Sequence, residues 1–256
     1  MLPKFTKKVL CFSLVFSLAA CSNLPNNKTS MTSESITAKE TLYLNTQNYE
    51  SLISLYRNIL KEKEDPMIRY KLANTYYDKG DSHSSSLYLA SLLSQDQKSE
   101  ISKKAKELQI KNLIQLKKYD EAVAIANELL VLVPNNGIAY NLRGIAFAQL
   151  GNLNKARDDI NKARELFIND VVAVNNLAML SIINGDYRNA VSLLMPQYIN
   201  GIRERRVIHN LVFALIKSGD IEYAKDIIRK EQLNTSPDDL VKALIKAEPI
   251  FKEVRR

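Results

Sequence analysis

One spacing constrains this chain more than any other. Glycines at positions 151, 185 and 219 and alanines at positions 156, 190 and 224 each advance by 34 residues. They belong to three variants of one segment, LGNLNKA, NGDYRNA and SGDIEYA. A further step back from Ala156 reaches Ala122 in KKYDEAVAIANELL, where Lys117 takes the place of the glycine. A fixed period of this size marks a stack of similar supersecondary units. Each unit reads as two antiparallel helices, with the glycine taking the left-handed conformation that ends the first and frees the chain to turn. Small residues at Gly144 and Ala156, and again at Ala178 and Ala190, let the paired helices approach closely. The apolar residues between follow helical spacing, as Leu142, Ile145 and Ala146 do before the turn and Ile160 and Ala163 after it. One hairpin cannot bury both of its apolar faces, so it stacks on its neighbours and the stack curves into a superhelix with a concave side. The predicted fold class is all-α.

The copy from Gly137 to Asp170 resembles the tetratricopeptide (TPR) repeat. Tyr140 and Phe147 stand at its aromatic positions, Gly144, Ala156 and Ala163 at its small ones, and Gly151 at its turn, while Ile168 stands where the family usually has proline. Copies follow at 171–204 and 205–238 and precede at 103–136, whose Pro134 matches the terminal proline. A stretched copy occupies 66–102, with Leu72, Ala73, Tyr76 and the KGD at Lys79–Asp81, and a weak one with Tyr43, Tyr49 and Tyr56 covers about 33–65. The resemblance implies a right-handed solenoid of five to six repeats over residues 34–235. One copy breaks form: Pro196 removes a backbone donor from the second helix of the 171–204 unit. The helix is expected to end near Met195, leaving PQYINGIRERR as a longer connection, either a binding loop or an irregularity. Residues 236–256 read as a capping helix and tail: Ser236 caps, Pro237 takes the first helical position, Asp238 and Asp239 favour the first turn, and Pro249 closes it. Leu240, Val241, Leu244 and Ile245 are expected to cover the last repeat.

The N-terminus has a different logic. Lys4, Lys7 and Lys8 precede an uncharged run from Val9 to Ala20, which is the pattern of a signal peptide and too short to span a bilayer. The following LAAC resembles the lipobox of bacterial lipoproteins. That resemblance implies cleavage after residue 20, lipid on Cys21, loss of Cys11 with the signal peptide, and, with Ser22 next, sorting to the outer membrane. Residues 21–33 then form a linker, within a polar stretch SNLPNNKTSMTSES that runs from Ser22 to Ser35. No mature thiol remains for a disulfide, a metal or nucleophilic chemistry. Removing residues 1–20 takes away three lysines and no acid, so the mature chain carries 33 − 28 = +5. Its basic residues are spread along the chain, which argues against a nucleic-acid partner.

No catalytic constellation is legible. His83 and His209 lie in different repeats, seven glycines form neither a phosphate loop nor a dinucleotide fingerprint, and no cluster has metal-ligand spacing. The pairs Asp158–Asp159 and Asp238–Asp239 point to diverging helix faces and read as solvated or as favouring a helix N-terminus. No enzyme, cofactor or small-molecule substrate is expected. A binding function is: with the first helix of each pair lining the concave side, Asn141 and Ile145 face a partner from one unit. Asn175, Asn176 and Met179 do so from the next, and Arg206, His209, Asn210 and Phe213 from the last. Asparagine can donate to and accept from an extended backbone, and arginine can grip a carboxylate in two places. Asn176, Arg206 and Asn210 resemble part of the carboxylate clamp of peptide-binding TPR proteins; the same asparagines can equally fill a helix interface with their amides paired.

The run AVNNLAMLSIINGDYRNAVSLLMPQY, then RVIHNLVFALIKSGDIEYAKDIIRKEQL and SPDDLVKALIKA, is similar to the TadD family of TPR lipoproteins of the tight-adherence (Tad, Flp) pilus machinery, well over residues 137–247. It implies a lipoprotein on the periplasmic side of the outer membrane that binds protein partners of the secretin and pilus apparatus. Two other readings stand: a pilotin for the type IV pilus secretin, and an adaptor regulating cell-wall hydrolases.

Overall fold

The computed structural model describes residues 33–94, 96 and 98–247. Cys21, with the expected signal peptide and nearly all of the expected linker, lies outside them, as do residues 248–256 with Pro249. Among the described residues the chain forms thirteen α-helices and no strand. Six antiparallel hairpins follow one another: α1 (Ser33–Asn45) with α2 (Tyr49–Glu62), α3 (Pro66–Asp78) with α4 (Ser82–Leu93), and α5 (Glu100–Gln115) with α6 (Tyr119–Leu132). Then come α7 (Gly137–Gln149) with α8 (Leu153–Glu165), α9 (Asp170–Ile183) with α10 (Tyr187–Ile199), and α11 (Arg205–Ser218) with α12 (Ile221–Lys230). Helix α13 (Pro237–Lys246) closes the array.

Each hairpin turns on one residue of positive φ: Gln47, Gly80, Lys117, Gly151, Gly185 and Gly219. The next N–H then reaches back five residues to close the first helix, from Lys118 to the Leu113 carbonyl (2.8 Å), Asn152 to Phe147 (2.9 Å) and Asp186 to Ser181 (2.8 Å). Lys117 therefore holds the left-handed backbone of the missing glycine, at φ 59°. The second helix frequently opens on a capping side chain: Asn48 accepts from the Ser51 N–H, Asp81 from Ser84 and Asp186 from Asn189.

Successive odd-numbered helices touch from α3 through α11 more extensively than successive even-numbered ones, so the odd layer lies on the inside of the bend. Alanines occupy the crossings, with Ala73, Ala105, Ala126, Ala156, Ala190 and Ala224 fully buried. The tightest crossing is α7 on α8. A methyl group on Gly144 would lie 2.8 Å from Ile160 Cγ1 and 3.0 Å from the Ala156 carbonyl. Between the second and third hairpins the contact is partly polar: Asn112 Nδ2 donates to Ser85 Oγ at 2.8 Å, and Ser82 bonds Gln115.

Three expectations are corrected here. Pro196 does not end its helix, because α10 continues to Ile199 and the Asn200 N–H bonds the Pro196 carbonyl at 3.0 Å. The proline ring and Ser192, whose carbonyl loses its intrahelical donor, both sit on the exposed face, where water can serve that carbonyl. Asp159 is neither solvated nor at a helix N-terminus: it is buried and receives Arg143 Nε and Nη2, both at 2.7 Å, while Arg143 Nη1 reaches Asn127 at 2.6 Å. One guanidinium thus ties α6, α7 and α8. In α13, Val241 is buried and Leu240 and Leu244 pack on the last hairpin as expected, but Ile245 is exposed.

The connection after α10 is fixed by Tyr198. Its hydroxyl donates to Glu231 at 2.8 Å, and the Arg203 guanidinium lies 4.3 Å above its ring and 3.1 Å from Glu231. Burial, reinforced by Glu231 and opposed by Arg203, pushes the phenol up to about 12. This raised folded value lies above an unfolded value of about 10, so its stabilisation is complete below pH 10 and is lost as pH rises toward 12. The urea midpoint is expected to fall between pH 10 and 12 in the wild type and to fall less in Tyr198→Phe. Two glycines separate packing from conformation. Gly144→Ala is expected to cost about 1–3 kcal/mol through overpacking. Gly151→Ala meets nothing within 4 Å, and its φ of 78° leaves a conformational cost of about 1 kcal/mol. Urea denaturation of both variants checks the pair.

Candidate protein-binding groove

The inner layer carries a cleft of about 420 Å³ between α7, α9 and α11. Its floor is apolar, formed by Ile145 and Ala148 of α7, Ile160 of α8, and Met179, Leu180 and Ile183 of α9. Its polar lining is Gln149, Asn175, Asn176, Arg206, His209 and Asn210. Seven of the nine concave-face residues expected from the sequence therefore come together in one cleft. Asn141 lies beside it and is buried. Phe213 lies outside it: its ring meets Tyr187 edge-on at 6.2 Å and packs on the core of the last two hairpins.

The asparagines are paired with one another across the helices. Asn176 Nδ2 donates to Asn141 Oδ1 at 2.8 Å, and Asn210 Nδ2 donates to Asn175 Oδ1 at 2.9 Å. The two bonds span 35 residues each and run from α9 to α7 and from α11 to α9, along the stacking direction. Asn141 and Asn175 are largely buried, and these bonds give their amide oxygens a partner within the protein. Arg206 and His209 differ: both are exposed, and neither has a hydrogen bond or ion pair among the described residues. The cleft side chains without a hydrogen-bond partner are thus the Arg206 cation, the His209 imidazole and the Gln149 amide, over an apolar floor.

Further along the inner face stand Asn74, Tyr77 and Asp78 of α3. Asn74 Nδ2 donates to Asp78 at 2.7 Å. The Asp78 carboxyl is pushed up mainly by the protein crowded around it and is held back by Lys111, although its side chain faces solvent. Tyr77 is raised by burial and by Asp78, while the Arg206 guanidinium acts in the opposite direction. Helix α3 is separated from α11 by three intervening odd helices.

The sequence reading missed Gln149 and Ile183, although both follow Ile145 and Met179 by four residues on the same helix faces. It also missed Arg143, whose pairing with Asp159 across the tight crossing leaves no mark at short spacing. Among the described residues no group of three His, Cys, Asp or Glu could hold a metal ion, and no helix is long and apolar enough to cross a membrane.

No protein-family model matches the sequence, and a sequence search of curated proteins finds no match. Solved structures do match. A thermophilic TPR protein of Thermus thermophilus is 18% identical, with a TM-score of 0.60 over 71% of this chain and 97% of that one. A tetratricopeptide repeat protein from Parabacteroides merdae is 15% identical, with a TM-score of 0.53 over 83% and 97%. The APC/C hetero-tetramer Cut9–Hcn1 is 14% identical, with a TM-score of 0.59 over 86% of this chain and 43% of that one. The fold is the all-α, right-handed tetratricopeptide-repeat solenoid.

The amide pairing divides the cleft residues by role. Asn176→Ala and Asn210→Ala each remove the donor to a largely buried amide on the neighbouring inner helix and are expected to cost about 1–3 kcal/mol of stability. Arg206→Ala with His209→Ala is expected to leave the urea midpoint within about 0.5 kcal/mol of wild type, as exposed unpaired side chains do.

Proposed function

We propose that the chain is a lipid-anchored scaffold on the periplasmic side of the outer membrane, holding protein partners during assembly of the Tad/Flp pilus apparatus. The observation that carries the binding role is the cleft with its unpaired Arg206 and His209 over an apolar floor. Its asparagines are fixed by one another, so recognition falls to Arg206, His209 and Gln149, with Met179 and Ile183 offering apolar contact. Arginine selects carboxylates through its paired donors. The Cut9–Hcn1 hetero-tetramer has the same fold in an assembly of several chains. Anchoring and the pilus rest on the LAAC at Leu18–Cys21 and on the similarity of residues 137–247 to the TadD family.

Deleting the gene is expected to abolish pilus fibrils without a septation defect, and Cys21→Ser is expected to move the protein from the membrane to the soluble envelope fraction. A photo-crosslinker at position 206 is expected to trap a secretin or pilus-assembly subunit. Normal fibrils on deletion, or hydrolases as the trapped partners, would replace the pilus reading with the cell-wall adaptor. Capture of a type IV pilus secretin would replace it with the pilotin.

A further inference from the structure

Helices in the array alternate in direction, so every odd-numbered helix begins, and every even-numbered helix ends, at one edge of the stack. That edge is unusually apolar. Of the eleven large apolar side chains exposed among the described residues, six lie there: Met67, Val131, Ile138, Phe167, Val172 and Ile199. The others fall at the ends of the array (Leu42, Leu44, Ile245) or singly on outer surfaces (Leu87, Tyr223).

Phe167 stands out even within this set. It is 95% exposed, and its φ is +60°, so a bulky side chain occupies a left-handed position that glycine would take without strain. Packing does not explain it, because the ring is almost wholly in solvent. The left-handed backbone closes α8, the Ile168 N–H bonding the Ala163 carbonyl at 3.3 Å, and the bare phenylalanine ring is what that closure leaves unexplained. Val131 is 81% exposed at the end of α6, and Ile199 is 69% exposed at the end of α10, on either side of Phe167 along the edge.

The same edge is where the chain enters the solenoid, since Ser33 begins α1 there. Cys21 lies twelve positions earlier, and a fully extended chain bridges at most about 40 Å over that length. A lipid on Cys21 therefore holds this edge next to the bilayer at high effective concentration, where even weak contact is occupied. Three arginines along it are paired within the protein, Arg69 with Glu64 at 2.5 Å, Arg164 with Asp170 at 2.5 Å and Arg203 with Glu231 at 3.1 Å, while Lys61, Lys63, Arg205 and Arg206 are exposed without an ion pair. Anionic headgroups can therefore add to the attraction of the apolar side chains.

We infer that this edge docks on the membrane, with Phe167, Val131 and Ile199 entering the boundary between headgroups and acyl chains. This rests on the anchor reading of Cys21 for its tether but has its own readout. The insertion is shallow, about 5–10 Å, as for other interfacial apolar groups. It turns the edge carrying the odd-helix N-termini toward the lipid, with Arg206 in the first turn of α11 near that edge and the cleft residues Ile145, Gln149, Met179 and Ile183 toward the opposite ends of α7 and α9.

The chain has no tryptophan, so Phe167→Trp, Val131→Trp and Ile199→Trp each place a single indole on the edge, and Leu87→Trp places one on the outer surface as a control. The processed full-length protein is reconstituted into vesicles of phosphatidylethanolamine and phosphatidylglycerol, with and without brominated acyl chains. The mass of the Cys21 peptide is measured in the same sample. Circular dichroism and the urea midpoint confirm that each variant folds. Blue-shifted emission and loss of most of it to the brominated lipid are expected at positions 167, 131 and 199, with none at 87. An acylated Cys21 with an unquenched indole at 167 overturns docking and leaves the anchor standing. Quenching with an unmodified Cys21 keeps docking and removes the anchor. An indole at 167 shielded from iodide in whole envelopes but unquenched in vesicles assigns the edge to a protein partner and overturns docking on lipid.

Discussion

The stack depends on how closely two helices can approach within one hairpin. At α7 and α8 the approach reaches the Ala156 carbonyl, 3.0 Å from where a side chain on Gly144 would begin. Alanines hold the corresponding space elsewhere, fully buried in one hairpin after another. Helices held this near leave a broad apolar face on each side of the hairpin, and a neighbour must cover each. The inner helices then touch along the array and the outer ones splay. Curvature, and with it the groove, follows from small residues at the crossings.

The same geometry separates structural from free polar groups. Inner helices close enough to touch place their asparagines against each other, and each pair spends one N–H and one oxygen on itself rather than on a partner. Arg143 is absorbed in the same way, its three bonds going to Asp159 and Asn127. What remains available is the minority: Arg206, His209 and Gln149 in the cleft. A partner therefore meets a cleft whose asparagines are already held in place, so little ordering of those side chains accompanies binding.

The hairpins, their boundaries and most glycine turns were legible because a 34-residue period is a one-dimensional signal. The turns at Lys117 and Gln47 were harder, since a left-handed residue other than glycine leaves no compositional mark. Pro196 was misread because its effect depends on which face of α10 it occupies, and that face is solvent. Asp159 was misread because its partner Arg143 sits sixteen positions away, across a crossing. For the cleft, the inner-face positions could be counted from the repeat, which brought Asn176, Met179 and Arg206 to the same place. Whether an asparagine there is free or paired depends on the spacing between neighbouring helices, and no local pattern encodes it.

The asparagine bonds also have a direction. In both, the later helix gives the nitrogen and the earlier one the oxygen, and the adjacent Asn175 and Asn176 on α9 serve the two sides separately. The middle copy therefore reads its neighbours differently, as a domino with unlike halves does. Asn141 and Asn175 hold one repeat position and Asn176 and Asn210 the next, so loss or duplication of the α9–α10 copy would leave every one of these amides paired, head to tail. Duplication of the α7–α8 copy would instead set Leu142 against Asn141 and strand that amide, so the array lengthens more readily through its middle copy than through that neighbour.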